Sequence, residues 1–268
     1  MPTVLADYHV HTRFSCDSET LMSAACEAAI TQGIAEVAFT DHLDFGPADP
    51  PGYFRPLEYL AAIEQCRARY ADRLTIRAGI EAGEPHLFPS ETQAILSVGP
   101  FDYVIGSAHY ADGMQPAWKR PFFEQPMRRA CEAYFQQVVR LAADGEFDIL
   151  GHLDLIKRDA RKYHLPYDGP GPYADLIRTA LRSLVERGKG LEINTSPLRR
   201  GQPEPCPSLE ILQWYRELGG EILTFGSDAH TARDIGADFD VALAIAQAAG
   251  FDRLATFECR QIRWMEVI

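Results

Sequence analysis

Seven short apolar runs punctuate the chain, at residues 4–8, 36–39, 74–80, 103–106, 147–150, 191–193 and 221–225. Between them, segments 21–30, 57–70, 134–143, 174–187 and 209–218 repeat their apolar residues at the spacing of one helix face. Short buried strands alternating with amphipathic helices are the pattern of β-α units wound around a parallel sheet, so the expected fold class is α/β. The Pro/Gly-rich stretches 46–56 and 165–172 are too short for interdomain linkers and read as loops over a barrel mouth. With no repeat or low-complexity tract, residues 1–268 are expected to form one domain. The tail, 254–268, mixes Phe257, Ile262, Trp264 and Val267 with charges and is expected to add a final edge strand.

The polar residues that follow these runs carry the chemistry. Six of the eight histidines come directly after one: His9 and His11, His42, His109, His152 and His230. Glu81 follows the third run and Asp228 precedes His230. In a β/α barrel the C-terminal strand ends converge on one mouth, so residues distant in sequence meet there. His9 and His11, two apart on an extended chain, project to the same side, as metal ligands would. Adding Asp17 gives nine candidate ligands, His9, His11, Asp17, His42, Glu81, His109, His152, Asp228 and His230. A catalytic zinc takes about three protein ligands plus water, so this set suits two or three ions. Imidazole and carboxylate without thiolate fit zinc, iron or manganese alike. Asp7 and Asp41 are expected to orient imidazoles from behind, accepting from the ring nitrogen that faces away from the metal.

Composition narrows the partners. The chain is 46% apolar, enough for a sizeable core, and carries a formal charge of −12, which would repel a polyanion. A small-molecule substrate is expected, not nucleic acid and not a membrane. The chain starts without a basic segment followed by a long apolar one, which suits a cytoplasmic enzyme. The six cysteines form no Cys-x-x-Cys pair and read as reduced, mostly buried thiols. Nothing in the sequence speaks to oligomeric state.

Asp7-Tyr8-His9-Val10-His11-Thr12, Thr40-Asp41-His42, Gly106-Ser107-Ala108-His109-Tyr110, Gly151-His152-Leu153-Asp154 and Gly226-Ser227-Asp228-Ala229-His230 resemble the motifs of the PHP (polymerase and histidinol phosphatase) family. The resemblance spans nearly the whole chain. It implies a distorted, TIM-like (β/α)7 barrel holding three divalent ions (Zn, Fe or Mn). Carried over residue by residue, it implies His9, His11, Glu81 and Asp228 on one ion, Glu81, His109 and His152 on a second, and Asp17, His42 and His230 on the third. Some family members have a histidine where Asp17 stands; the carboxylate resembles the histidinol phosphatase branch. So do the loops Gly151 to Arg158 and Asn194-Thr195-Ser196-Pro197-Leu198-Arg199-Arg200-Gly201, which in that branch surround the substrate phosphate.

The implied activity is hydrolysis of L-histidinol phosphate, a small phosphate monoester, by a metal-bridging hydroxide. Another nucleotide or sugar phosphate ester is the nearest alternative, and processing of nucleic-acid ends a more distant one. Glu81 would bridge ions, and Arg158 and Arg199, with Asn194 beside them, would hold the phosphoryl group; Lys157, Arg161 and Arg200 are rivals. Asp228 or a water is the candidate acid for the departing alcohol. Glu19, Asp44, Glu84 and Asp112 are candidates to meet the substrate amine, and Phe14, Tyr53 and Tyr110 to pack on its ring. His86 and His164 read as ordinary loop histidines.

Overall fold

The computed structural model describes residues 5–266, so the expectations placed on residues 1–4, 267 and 268 lie outside the described residues. Seven parallel strands follow one another: β1 (Leu5–Val10), β2 (Ile34–Phe39), β3 (Thr75–Gly83), β4 (Tyr103–Ser107), β5 (Ile149–Leu150), β6 (Gly190–Asn194) and β7 (Leu223–Gly226). Each coincides with one of the apolar runs. The chain after β7 returns to β1, where Val10 bridges Ala229 in parallel and the His11 amide donates to the Ala229 carbonyl at 2.9 Å. The sheet is thus a nearly closed α/β barrel.

Among the described residues eight α-helices surround it: α1 (Met22–Thr31), α2 (Pro56–Tyr70), α3 (Pro89–Leu96), α4 (Met127–Asp144), α5 (Ile156–Lys162), α6 (Ala174–Glu186), α7 (Leu209–Glu217) and α8 (Phe239–Ala248). In α6, Ile177, Ala180, Leu181 and Leu184 are buried at helical spacing against the sheet, a pattern readable in sequence. The helices α3, α5 and α8 fall where no helix was expected, for distinct reasons. Only Thr92 of α3 is buried, α5 is seven residues long, and α8 exposes alanines beside Asp240 and Gln247, so none shows a clear stripe.

The tail corrects an expectation. Its described residues join no edge of the barrel sheet; β8 (Arg253–Glu258) and β9 (Gln261–Glu266) pair with each other as an antiparallel hairpin. Ala255 and Phe257 of β8 pack with Ala6, Tyr8, Ala38, Tyr103, Ile105 and Ile149 in a second apolar cluster, apart from the main core. The Phe257 ring centroid lies 5.0 Å from that of Tyr103, and the Phe257 amide donates to the Tyr8 hydroxyl at 2.7 Å. At the hairpin turn Cys259 and Arg260 both take positive φ, as a two-residue type I′ turn requires. Asp102, just before β4, secures it, accepting from the Cys259 amide on its side chain and the Arg260 amide on its carbonyl, each at 2.9 Å. The hairpin plugs the N-terminal end of the strands and leaves the C-terminal end for polar residues. Among the described residues no helix is long and apolar enough to cross a membrane.

Candidate metal centre

All nine expected ligands lie at the C-terminal mouth. The pairing of β1 with β2 changes register between Asp7 and Val10, so Tyr8 packs in the apolar plug while the next residue, His9, joins the polar site. The His9 and His11 ring centroids are 5.0 Å apart. His42 sits on a two-residue strand, His42–Leu43, that pairs with β3 directly opposite Glu81. His109 and His152 follow β4 and β5, and Asp228 and His230 follow β7. Asp228 adopts φ +52, a left-handed conformation tolerable for Asp. Asp7 steadies that turn, accepting from the amides of Ser227 and Gly236 at 2.9 Å each.

Glu81 is the centre of the cluster. Its Oε2 lies 3.2 Å from His9 Nε2, 3.5 Å from His11 Nε2 and 2.9 Å from His42 Nδ1. Its Oε1 lies 3.3 Å from His109 Nε2 and 2.9 Å from His152 Nε2. Asp228 Oδ1 stands 3.4 Å from His11 Nε2 and 3.5 Å from His230 Nδ1. Asp17, half-exposed at the rim, reaches His230 Nε2 at 3.1 Å and His42 Nε2 at 3.6 Å. Among the described residues four overlapping groups of donor atoms are close enough to share an ion: His9, His11 and Asp228; His9, Glu81 and His152; His42, Glu81 and His109; His11, His42 and His230.

The donor set fits divalent cations. His9 Nε2, His11 Nε2 and Glu81 Oε2 are buried without a hydrogen-bond partner, although such an atom costs about 1–3 kcal/mol when unsatisfied. Burial disfavours charge on His9, His42 and His109. Yet Glu192 and Glu81 at His9, Glu81 and Asp17 at His42, and Asp44 and Glu81 at His109 hold all three well above the usual histidine range. Burial likewise opposes ionisation of Glu81 and Asp228, but the surrounding histidines hold both carboxyls well below theirs. A potential this negative attracts protons or metal ions to the imidazoles. His11 differs: burial, with His230 and His42 beside it, pushes it down to about 3, leaving a neutral ring with a lone pair to donate.

The groups that orient the imidazoles are not those expected. Asp41 grips Thr12 through its amide and hydroxyl and holds Ser15 Oγ at 2.7 Å; Ser15 in turn meets His11 Nδ1 at 3.0 Å. Asp7 accepts instead from the backbone amides of His9, Ser227 and Gly236. Direct contact comes from Asp44, whose Oδ1 accepts from His109 Nδ1 at 2.8 Å, and from Glu192, whose Oε1 lies 2.6 Å from His9 Nδ1. Glu192 went unnoticed inside the sixth apolar run, where an acid in a fully buried strand was the available signal.

A cavity of about 360 Å³ opens over the cluster, and its lining includes the basic residues Arg158, Lys162 and Arg200 as well as Asp44, Asp49 and Trp118. Arg158 is held by Asp159 at 3.1 and 3.3 Å, with Nη1 3.8 Å from Asp228 Oδ2. Burial and the neighbouring Arg158 push the Arg200 guanidinium down, a crowding that an anion between the two would relieve.

The structure does not bring Arg199 to this cavity. Its guanidinium turns to the Ser227 carbonyl at 2.5 Å and stands 3.8 Å from Asp234, because Arg199 and Arg200 are consecutive in a 3-10 turn, Leu198–Arg200, and point apart. Asn194 is buried behind the site, donating to Glu192 at 3.2 Å and accepting from Ser196. Lys157 is paired with Asp154 at 2.8 Å, and Arg161 is exposed away from the cavity.

Of the amine candidates, only Asp44 lines the cavity, and it is engaged with His109; Glu84 is buried beneath the His109 and Tyr110 amides, and Glu19 and Asp112 are exposed elsewhere. Phe14 packs on Tyr59 in the core, Tyr53 bonds Asp44, and Tyr110 bonds Asp49. Trp118, not singled out in the sequence, has its ring centroid 6.2 Å from that of His109. His86 meets Gln137 at 3.1 Å and His164 lies in a positive-φ turn, both away from the cavity.

The PHP domain family model matches residues 7–196. A histidinol-phosphatase of Lactococcus lactis is 30% identical over 96% of this chain and 95% of its own length. A probable histidinol-phosphatase of Clostridium acetobutylicum is 31% identical over 90% of this chain and 92% of its own. Among solved structures, the histidinol phosphate phosphatase of Lactococcus lactis complexed with zinc, L-histidinol and phosphate superposes with a TM-score of 0.83, 28% identity, and coverage of 97% of this chain and 98% of that one.

Proposed function

This chain belongs to the PHP domain family, and on that premise we propose that it is a metal-dependent phosphatase hydrolysing L-histidinol phosphate to L-histidinol and phosphate. The observation that carries this reading is Glu81, whose two oxygens face imidazoles from different strand ends beneath a cavity that ends in Arg158 and Arg200. Residues 1–268 act as one catalytic domain, working in the cytoplasm on a small phosphate monoester.

The metal ligands are His9, His11, Glu81 and Asp228 at one position, Glu81, His109 and His152 at a second, and Asp17, His42 and His230 at a third. Zinc, with which the Lactococcus lactis structure is complexed, suits this set, and iron and manganese suit the same donors. When bound, divalent ions supply Lewis acidity and a source of hydroxide near neutral pH.

The chain's own groups do the rest. Glu81 holds neighbouring positions in one frame. Arg158, braced by Asp159, and Arg200 grip the phosphoryl oxygens; in this reading Arg200 takes the role expected of Arg199. Asp228, held in its carboxylate form by His9, His11 and His230 despite burial, is a ligand and an anchor for Arg158 rather than a proton donor. The aromatic and acidic wall of Trp118 and Asp49 faces a cationic, ring-bearing leaving group.

Release of inorganic phosphate, measured across a panel of monoesters, tests the reading. L-histidinol phosphate should give the highest kcat/KM. Equal or better use of a nucleotide or sugar phosphate would remove the substrate assignment and leave the reaction class standing.

A further inference from the structure

Glu192 is a carboxylate only 1% exposed, at the centre of a strand whose other residues are buried too. An ionised carboxylate is tolerated there only if its lone pairs are met. Both oxygens are used. Oε1 accepts from His9 Nδ1 at 2.6 Å, while Oε2 accepts from the His152 backbone amide at 2.8 Å and from Asn194 Nδ2 at 3.2 Å. The space it fills is reserved for it. A Cβ at Gly226, on the adjacent strand, would stand 2.0 Å from Glu192 Oε1, so the strand β7 can carry only glycine there while Glu192 keeps its position.

We propose that Glu192 is a positioning residue that fixes the spacing of two metal-binding positions, through the ring of His9 on one side and the backbone of His152 on the other. This rests on the ligand assignment proposed above. Accepting a hydrogen bond from His9 Nδ1–H fixes the tautomer whose Nε2 faces Glu81 and Asp228 with its lone pair free. Accepting from the His152 amide fixes the start of the turn from which that imidazole reaches Glu81 Oε1. His9 and His152 belong to different positions, so one carboxylate sets the distance between them. Asp44 stands in the same relation to His109, and Gly83 makes room for it: a Cβ there would fall 1.9 Å from Asp44 Oδ1.

The chemistry dictates an informative variant. Glutamine matches glutamate in size but offers one acceptor oxygen, whereas His9 Nδ1–H and the His152 N–H approach different oxygens. Glu192→Gln must therefore turn its NH2 toward one of two donors. The full-length protein, stripped by chelator, should be titrated with Zn(II) in competition with a chromophoric chelator, while the imidazole N–H proton resonances of the loaded protein are recorded. Orientation of this kind is worth about 10–100-fold in metal affinity. Glu192→Gln and Glu192→Ala should weaken Zn(II) binding on that scale, and the downfield His9 Nδ1–H resonance should shift or vanish. Asp44→Asn should instead perturb the His109 ring resonance and spare that of His9.

Wild-type zinc affinity together with an unshifted His9 resonance in Glu192→Gln would overturn the proposal. A wild-type protein that takes up no zinc, iron or manganese would instead remove the ligand assignment, and this inference with it.

Discussion

Glu81 Oε1 lies 2.9 Å from His152 Nε2, although the two residues are 71 positions apart in the chain. The barrel makes the contact, since β3 and β5 both end at the same mouth and β4 between them adds His109. Replacing Glu81 by Gln keeps its volume but removes the charge that faces five imidazoles. Metal content should fall and kcat/KM should drop by about 100–1,000-fold, the scale lost with a principal electrostatic group of an active site. Metal analysis beside phosphate-release kinetics checks both.

Arg158, Arg199 and Arg200 should separate by what they touch. Arg158→Ala and Arg200→Ala should retain metal and lower kcat/KM by about 10–1,000-fold, as expected for a charge-assisted contact to a phosphoryl group. Arg199→Ala should act mainly on stability, by about 1–3 kcal/mol, because it frees the Ser227 carbonyl. Denaturant unfolding and steady-state kinetics on the three variants distinguish these outcomes.

Lys157 offers a purely structural contrast. It is 4% exposed, bonded to Asp154 and to the Pro205 carbonyl, at 2.8 and 2.6 Å. Lys157→Met leaves Asp154 buried and uncompensated, so it should destabilise the fold by about 3–5 kcal/mol. The double variant Asp154→Asn, Lys157→Met should recover part of that loss in the same unfolding measurement.

The pH dependence of stability should differ with and without metal. In the chelated protein His9, His42 and His109 have raised pKa values, so their contribution is complete below about 6.5 and is lost as pH rises through the folded values. Glu81 and Asp228 have lowered values, so theirs is present above about 4–4.5 and is lost as pH falls toward the folded values. Melting temperature in chelator should therefore peak between these limits and decline on the alkaline side. Zinc should raise it most at neutral to alkaline pH, where it does not compete with protons. Calorimetry across pH 4–9 (about the range set by these pKa values) tests both curves.

What the sequence disclosed depended on periodicity and phase. The strands were legible because each is a short apolar run, and the clustered histidines because they follow those runs in phase. A helix such as α8 was hidden, since alanines share its exposed face with Asp240 and Gln247 and leave little polarity there. The tail's apolar residues marked a strand, but their partner was the other arm of the same hairpin. Arg199 and Arg200 are adjacent in sequence, and only the 3-10 turn that carries them decides which one meets the cavity. Glu192 and Asp44 act through hydrogen bonds to rings on other strands, a relation set by side-chain packing across the barrel rather than by any local spacing.

The most direct test of the account is inorganic phosphate released from L-histidinol phosphate by chelator-stripped protein as a divalent ion is titrated back. Activity should be absent without metal, and should return with more than one equivalent of zinc, manganese or ferrous iron. Full phosphate release by protein shown to be metal-free, or none from metal-loaded protein, would contradict it.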